Sequence, residues 1–398
     1  MRVVIIGGGV MGMFTGYYLL KDGHSVTLID KEERAETSVW NAGFIVPSFA
    51  GAPLIGMSTI LAPYVGRQGP VYISPFQVLR NVGWYNIASK KALKGYEDAV
   101  MSLGRESLSH YREFFKAESI EPDVKVGVAE IYLNRRDAEK AATLPNARFF
   151  DSTEALEMGF REVGGGVYFD DELCINPTKL FGELRKILID DGANMILGKE
   201  AQLNPDGVRV KSVSLDDGQE IAGDCFVLAT GSWSREVCGR IGYDPHILHA
   251  RGFVTIFETN GEKIIGVPAI FEDTGVAVTQ HNENTLRLTG FFEMVNFNKS
   301  YSESRKEWLY STARKHITRY DKLKPVAEGV GYRPCTPDQL PVIGKVPKYE
   351  NLYIAAGHCR LGLTLAPGTA NMVRSMINGK KITNEYWASF DPARFAAS

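Results

Sequence analysis

The chain opens on a continuous apolar run, Val3-Val4-Ile5-Ile6, as a strand buried on both faces of a parallel sheet requires. The run breaks at Gly7-Gly8-Gly9. A helical pattern then continues through Tyr17, Leu19 and Leu20, with Gly23 where a C′ residue belongs. Ser25–Ile29 predicts a second strand that ends at Asp30. Residues 76–118 read as helical, and from Tyr96 to Phe115 the positions Val100, Leu103, Leu108, Tyr111 and Phe114 keep that spacing. Val126–Leu133 predicts a strand, Arg135–Leu144 a helix, and Gly164-Gly165-Gly166 a crossing point. Pro177–Asp190 predicts an amphipathic helix with Leu180, Leu184 and Leu188 on one face. Strands are expected around 193–197, 207–214 and 225–229. Gly252–Phe257, Val276–Gln280 and Thr285–Thr289 alternate like antiparallel strands, and Ser302–Tyr320 predicts a helix burying Trp308 and Ile317. Asn351–Ala356 reads as a buried strand, and a last helix runs from near Pro367 to Ile377.

The first strand, helix and second strand form a βαβ unit around Gly7-Gly8-Gly9-Val10-Met11-Gly12, which fits GxGxxG. The first glycine allows a tight turn, and Gly9 lets a pyrophosphate approach the N–H groups and dipole of the helix N-terminus. Asp30, which ends the second strand, is placed for a ribose hydroxyl and would repel a 2′-phosphate. The unit therefore predicts a bound dinucleotide, and by itself it does not separate NAD from FAD. Asp224–Gly231, a buried strand entering a glycine turn, predicts a return to the same sheet, so the cofactor domain is expected to be discontinuous.

The 398 residues suggest two or three domains, and 44% apolar with 23% charged residues is the balance of a globular chain. A net charge of −2 leaves no basic field for nucleic acid. Forty glycines are an excess that fits backbone packed against a ligand. Five cysteines without a CxxC pair argue against a disulfide framework or a structural zinc site and for a reducing, cytoplasmic address; no metal is expected. Residues 3–20 lack the uninterrupted core of a signal peptide. Thr37–Gly66 is uncharged and carries Pro47, Pro53 and Pro63; it reads as chain buried beside a ligand, with a surface dipping into a membrane as the alternative. The basic residues of 302–320 are interleaved with Glu303 and Glu307 and read as a solvated face.

The C-terminal third carries two dense motifs, Gly-Tyr-Arg-Pro-Cys-Thr-Pro-Asp (331–338) and Gly-His-Cys-Arg-Leu-Gly (357–362). Together with GxGxxG and Asp30, Asn41-Ala42-Gly43 and Ala229-Thr230-Gly231, in this order, they resemble the D-amino-acid oxidase superfamily of FAD enzymes over nearly the whole chain. The segment Trp40–Ser48, with Gly275–Gln280 and Leu286–Gly290, looks like D-amino-acid dehydrogenases; Ala355–Arg360 with Leu365-Ala366-Pro367 looks closer to glycine oxidase. The β-type subunits of multi-component amine dehydrogenases share these features, which leaves room for a partner chain.

The resemblance implies an α/β fold with a Rossmann-like FAD-binding domain (1–50, 172–245 and 330–398). It also implies an α+β substrate domain with a mainly antiparallel sheet (51–171 and 246–329). It implies oxidation of a small D-amino or imino acid, with hydride passing from Cα to flavin N5 and the imine hydrolysing. Electrons go to a quinone or dye-like acceptor, or to oxygen if the enzyme is a glycine- or sarcosine-type oxidase. A non-catalytic FAD-binding subunit and an NAD-dependent dehydrogenase are the rival classes. Arg333 matches the position that clamps the substrate carboxylate, an ion pair with Asp338 being the alternative; Tyr332, His358 and Arg360 are further candidates. Cofactor contacts are expected from Gly7, Gly9, Val10, Met11, Gly12, Asp30, Lys31, Asn41, Ala42, Gly43, Ala201, Ala229, Thr230, Gly231, Gly357, Arg360, Leu361, Gly362, Leu363 and Thr364. Cys335 is off the offset at which related enzymes attach FAD, which falls near Gly331, so FAD is expected to be non-covalent and Cys335 a buried thiol.

Overall fold

The computed structural model describes residues 1–33, 36–50, 70–90, 95–297, 300 and 303–395. Most of the uncharged stretch, 51–66, lies outside them.

The apolar run at the N-terminus is the strand Arg2–Ile6, central in a six-stranded sheet. It pairs in parallel with Ser25–Asp30 on one side and Cys225–Leu228 on the other, with Ile6 opposite Ile29 and Leu228. Asn194–Leu197 continues the sheet beyond Ser25–Asp30, and Leu352–Ala356 then Val342–Lys345 continue it beyond Cys225–Leu228. Only the last pairing is antiparallel. Strand alternation sends Val3 and Ile5 into one core cluster and Val4 and Ile6 into another on the opposite face. That burial on both faces is why the strand reads as an unbroken apolar run. The helices Val10–Lys21, Pro177–Asp190 and Gly362–Ile377 cover the first face, with Phe14, Leu184 and Val373 fully buried. A three-stranded antiparallel sheet of Ala201–Asp206, Arg209–Leu215 and Glu220–Ala222 packs against the second.

The larger sheet is mainly antiparallel. Its order is Lys324–Cys335, Leu248–Glu258, Thr285–Met294, Val276–Thr279, Ala269–Phe271, Lys125–Tyr132, Gly165–Cys174 and Phe44–Ile45. Val71–Ile73 adds to Thr285–Met294 and Ala147–Asp151 to Gly165–Cys174. The helix Glu303–His316 buries Leu309 and Ala313 against it, with Ile317 just beyond its end and Trp308 half-buried. The basic residues of that helix are engaged: Arg305 with Glu293 at 2.8 Å, Lys306 with Glu328 at 3.0 Å and Arg314 with Glu307 at 3.2 Å.

Two elements differ from the sequence expectation. The segment 331–335, where the sequence pattern predicts no strand, is the end of a twelve-residue strand, Lys324–Cys335. That strand sits at the sheet edge, where Pro325 and Pro334 need not donate to a second neighbour. The last helix begins at Gly362, five residues before Pro367. Proline cannot donate to the carbonyl of Leu363, and the buried Tyr111 hydroxyl donates to it instead at 2.7 Å. The next N–H, of Gly368, donates to Ser107 Oγ at 3.1 Å. A helix from another part of the chain thus repairs the ladder that the sequence pattern appears to break.

Candidate active site

The carboxyl ends of the parallel strands converge on one edge of the six-stranded sheet, where open α/β sheets bind ligands. At Gly7 the chain leaves the first strand with φ +113°, and a Cβ there would lie 2.3 Å from Ala229 O. A Cβ on Gly12 would lie 1.8 Å from Gly7 O, so these two glycines close the turn. Gly9 is different. A Cβ on it would meet only Ser38 Oγ, at 2.9 Å, and Gly9 faces a cavity. It is also the N-cap of Val10–Lys21, with no side-chain cap and no acid in the first turn. The first N–H groups are left for an anion. Asp30 accepts from the N–H of Gly8 and, at 2.7 Å, from that of Glu32. Burial pushes its carboxyl up and these N–H groups pull it back down.

The cavity encloses about 610 Å³, within the ~300–1,000 Å³ usual for ligand sites. Among the residues the sequence singled out, its wall includes Gly7, Gly9, Val10, Met11, Asp30, Lys31, Asn41, Ala42, Ala201, Ala229, Thr230 and Gly231. It also includes Tyr332, Arg333, His358, Arg360, Gly362, Leu363 and Thr364. Gly12, Gly43, Gly357 and Leu361 stand outside that wall and shape it from behind. Gly43, with φ +89°, lets its loop lie against Ile175, whose N–H donates to Gly43 O at 2.9 Å. The helix at Gly362 is a second N-terminus without a side-chain cap or first-turn acid, and Gly362 lines the same cavity.

Arg333 is enclosed by protein, and its Nη1 donates to Phe291 O at 2.8 Å. Burial, and then the charge of Arg360, lowers its pKa to about 10. Among the described residues no carboxylate is bonded to it. Asp338, the ion-pair partner that spacing offered, is paired with Arg394 at 3.0 Å. The guanidinium lies over Gly252, whose missing side chain leaves the room for it. His358 is buried, with Nε2 3.0 Å from Thr369 Oγ1, and burial lowers it to about 3, so it is neutral near pH 7. Tyr332 packs edge-on to Trp233 and Phe297, and Lys31 Nζ sits 3.7 Å over the Trp233 ring.

Three charged residues were not singled out from sequence. Glu272 lines the cavity, and burial raises its carboxyl against the opposing pull of Arg360. Glu130 lies on the adjacent strand; burial, and then the charge of Glu272, pushes it up to about 8. Arg287 Nη1 donates to Val39 O at 2.9 Å and so fixes the start of the Trp40–Gly43 loop. Glu130 and Arg287 lie on strands and Glu272 in the turn after Ala269–Phe271, and neither alternation nor turn composition shows which polar residue faces inward. Cys335 is a correction to the sequence reading: it is not a free thiol but forms a disulfide with Cys359, with Cα atoms 4.4 Å apart. The end of an edge strand and the turn after Leu352–Ala356 meet there, which spacing along the chain does not show. Cys174, Cys225 and Cys238 are free and buried.

Residues 2–376 match the family model described as FAD dependent oxidoreductase. The chain belongs to that family. It is an FAD-dependent oxidoreductase, which bears out the resemblance to the D-amino-acid oxidase superfamily and sets aside the nicotinamide alternative. The site fits the cofactor: two open helix N-termini, an acid, Asp30, on the cavity wall at the end of the second strand, and at Gly9 a cradle that a Cβ would fill. A D-amino acid dehydrogenase of Vibrio vulnificus (strain YJ016) is 25% identical over 429 residues, covering 100% of both chains. A glycine oxidase from Geobacillus kaustophilus superposes with TM-score 0.77 at 19% identity, covering 99% of each chain. An L-proline dehydrogenase from P. horikoshii superposes at 0.74 and 18%, covering 100% of this chain and 98% of that one. Among the described residues no helix is long and apolar enough to cross a membrane, and no group of side chains is arranged to hold a metal.

Proposed function

We propose that this enzyme oxidises a small D-amino or imino acid at its Cα–N bond, giving an imine that hydrolyses to the 2-oxo acid. A quinone or dye-like compound takes the electrons. The observation that carries the reading is Arg333, a guanidinium in the cavity wall bonded to a main-chain carbonyl and to no acid among the described residues. Its remaining fork suits a substrate carboxylate. Arg360, on the same wall, adds a second positive charge. The names of the curated relatives favour the D-amino-acid class.

Bound FAD supplies the hydride acceptor, and the chain supplies orientation. Gly7, Gly9 and the N-terminus of Val10–Lys21 take the pyrophosphate, and Asp30 takes a ribose hydroxyl. Asn41, Ala42 and the N-terminus at Gly362, all on the cavity wall, would lie by the ring, where the helix dipole favours negative charge; the Gly43 N–H is instead taken by Asn41 Oδ1 at 2.7 Å. Arg333 and Arg360 fix the substrate carboxylate, and Tyr332 closes the pocket beside them. His358, neutral and bonded to Thr369, holds the turn that carries Arg360. FAD is non-covalent in this reading, because the sulfur of Cys335 is already engaged. The FAD-binding unit comprises 1–50, 172–245 and 330–398, and the substrate unit 51–171 and 246–329. In support, the six-stranded sheet draws only on segments within 2–30, 194–228 and 342–356.

The test is an anaerobic visible spectrum with a panel of D-amino acids, glycine, sarcosine and both prolines. Bleaching of a flavin band near ~450 nm by a D-amino or imino acid, with slow return in air and fast return with a quinone, is the expected result. Rapid return in air with peroxide identifies an oxidase instead. A yellow protein that nothing in the panel bleaches overturns the substrate class.

A further inference from the structure

The two arginine-bearing motifs are tied by the Cys335–Cys359 bond. Cys335 stands two residues after Arg333, and Cys359 immediately precedes Arg360. The sulfurs differ in access. Cys335 is fully buried at the end of its strand, whereas Cys359 is partly exposed and lines the cavity. The turn that carries Cys359 is held in an unfavourable shape. Gly357 has φ +84° and Cys359 has φ +48°, the left-handed region that a residue with a Cβ avoids. Its other ties include a backbone bridge from His358 to Cys335, the Leu361 N–H to His358 O at 2.9 Å, and the His358–Thr369 bond.

We propose that this disulfide is a thiol-exchange site that sets the spacing of the arginine pair, so that its reduction weakens carboxylate binding. The reductant is a small dithiol that enters through the cavity. One of its thiolates attacks Sγ of Cys359, the reachable sulfur, to form a mixed disulfide. The Cys335–Cys359 bond breaks, and Cys335 leaves as a thiolate that takes a proton. The reagent's second thiol then displaces Cys359 and closes its own disulfide. Two electrons move from reagent to protein, which ends with two thiols. With the bond open, the turn relaxes from its left-handed conformation and Arg360 moves relative to Arg333.

The inference rests on the amino-acid reading, and the experiment separates the two. Holoenzyme is treated with dithiothreitol without denaturant, alkylated, and examined by peptide mass. Acetate, a carboxylate with no amine to oxidise, is titrated calorimetrically before and after reduction, and again after reoxidation. The expected results are alkylation of Cys335 and Cys359 only after reduction, slower when acetate is present, and an acetate Kd raised tenfold or more and restored by reoxidation. With the substrate identified, KM rises by a similar factor while kcat changes less. The Cys335→Ser/Cys359→Ser variant shows the raised Kd without responding to dithiothreitol. Reversible reduction of the unmodified protein answers the question even where that variant fails to fold. A bond that resists dithiothreitol until denaturant is added, or an acetate Kd that does not change on reduction, overturns the inference and leaves the amino-acid reading standing. If neither form binds acetate, the carboxylate clamp falls and takes both with it.

Discussion

The arginine clamp can be displaced without touching the arginine. A Cβ built on Gly252 would lie 2.2 Å from Arg333 Nη1, 2.5 Å from Nη2 and 2.6 Å from Cζ. Ordinary contact begins near 3.4 Å, so in Gly252→Ala the guanidinium has to retreat by about 1.2 Å. The obstacle is the far end of a flexible side chain, which can move. The Gly252 backbone lies in the strand Leu248–Glu258 and is not left-handed, so alanine suits it and gains roughly 0.5–1 kcal/mol over glycine. The fold is therefore expected to persist with a modestly lowered melting temperature, because Arg333 loses its aim and its bond to Phe291 O, which is worth more than alanine gains. A hydrogen bond to a charged group is worth about 1.5–3 kcal/mol, which corresponds to a KM raised roughly 10- to 150-fold. Steady-state kinetics with an artificial acceptor gives KM, thermal melting reports the fold, and absorbance reports retained flavin. A KM within threefold of the parent, in a folded and yellow variant, refutes Arg333 as the carboxylate ligand.

Asp30→Asn replaces one of the two carboxylate oxygens that accept from the Gly8 and Glu32 N–H groups with an amide donor and removes the charge. It is expected to weaken FAD at least tenfold, measured by titrating apoprotein with FAD. Tyr111→Phe leaves the Leu363 carbonyl without its donor above Pro367 and should cost about 1–3 kcal/mol in urea unfolding, with easier loss of FAD. Glu130 has a folded pKa of about 8, above its unfolded value, so its contribution to stability is full below about pH 4.5 and is lost as pH rises toward 8. Glu130→Gln keeps an acceptor for the Tyr132 hydroxyl, 2.9 Å away, and removes the charge. It should melt with the parent at pH 4.5 and above it at pH 9, by an amount on the order of a few kcal/mol; equal melting at both refutes the buried-charge assignment.

What the sequence shows and what it hides divides along a physical line. Local pattern is enough where an element's environment is uniform. Arg2–Ile6 is buried on both faces and reads as unbroken apolar; Pro177–Asp190 presents one face and begins at proline, and both ends stand where periodicity places them. The GxGxxG turn is legible because Gly12 answers to Gly7 O within the same unit, although Gly7 itself is required by Ala229, which is remote in sequence. Pattern fails where the deciding partner is remote. Pro367 predicts a helix start until Tyr111, 252 residues from Leu363, supplies the missing donor. Pro334 hides a strand until that strand proves to be an edge. Cys335 reads as a lone thiol until two distant turns meet at His358.

The same line separates two kinds of site residue. Arg333 is legible through its motif, because glycine and proline around an arginine are visible in one dimension. Glu272 and Glu130 are not, because a glutamate in a strand, or in the turn just after one, looks identical whether it faces water or a cavity. Their position facing Arg360 is a property of the sheet's register, Glu272 following Ala269–Phe271 and Glu130 paired with Ile270. The glutamates near the cavity are therefore placed by strand pairing between segments about 140 residues apart, while the cavity's glycine turn forms within the first thirty residues and against Ala229. A variant that shifts that register by one residue would turn Glu130 to the other face of the sheet without altering any motif.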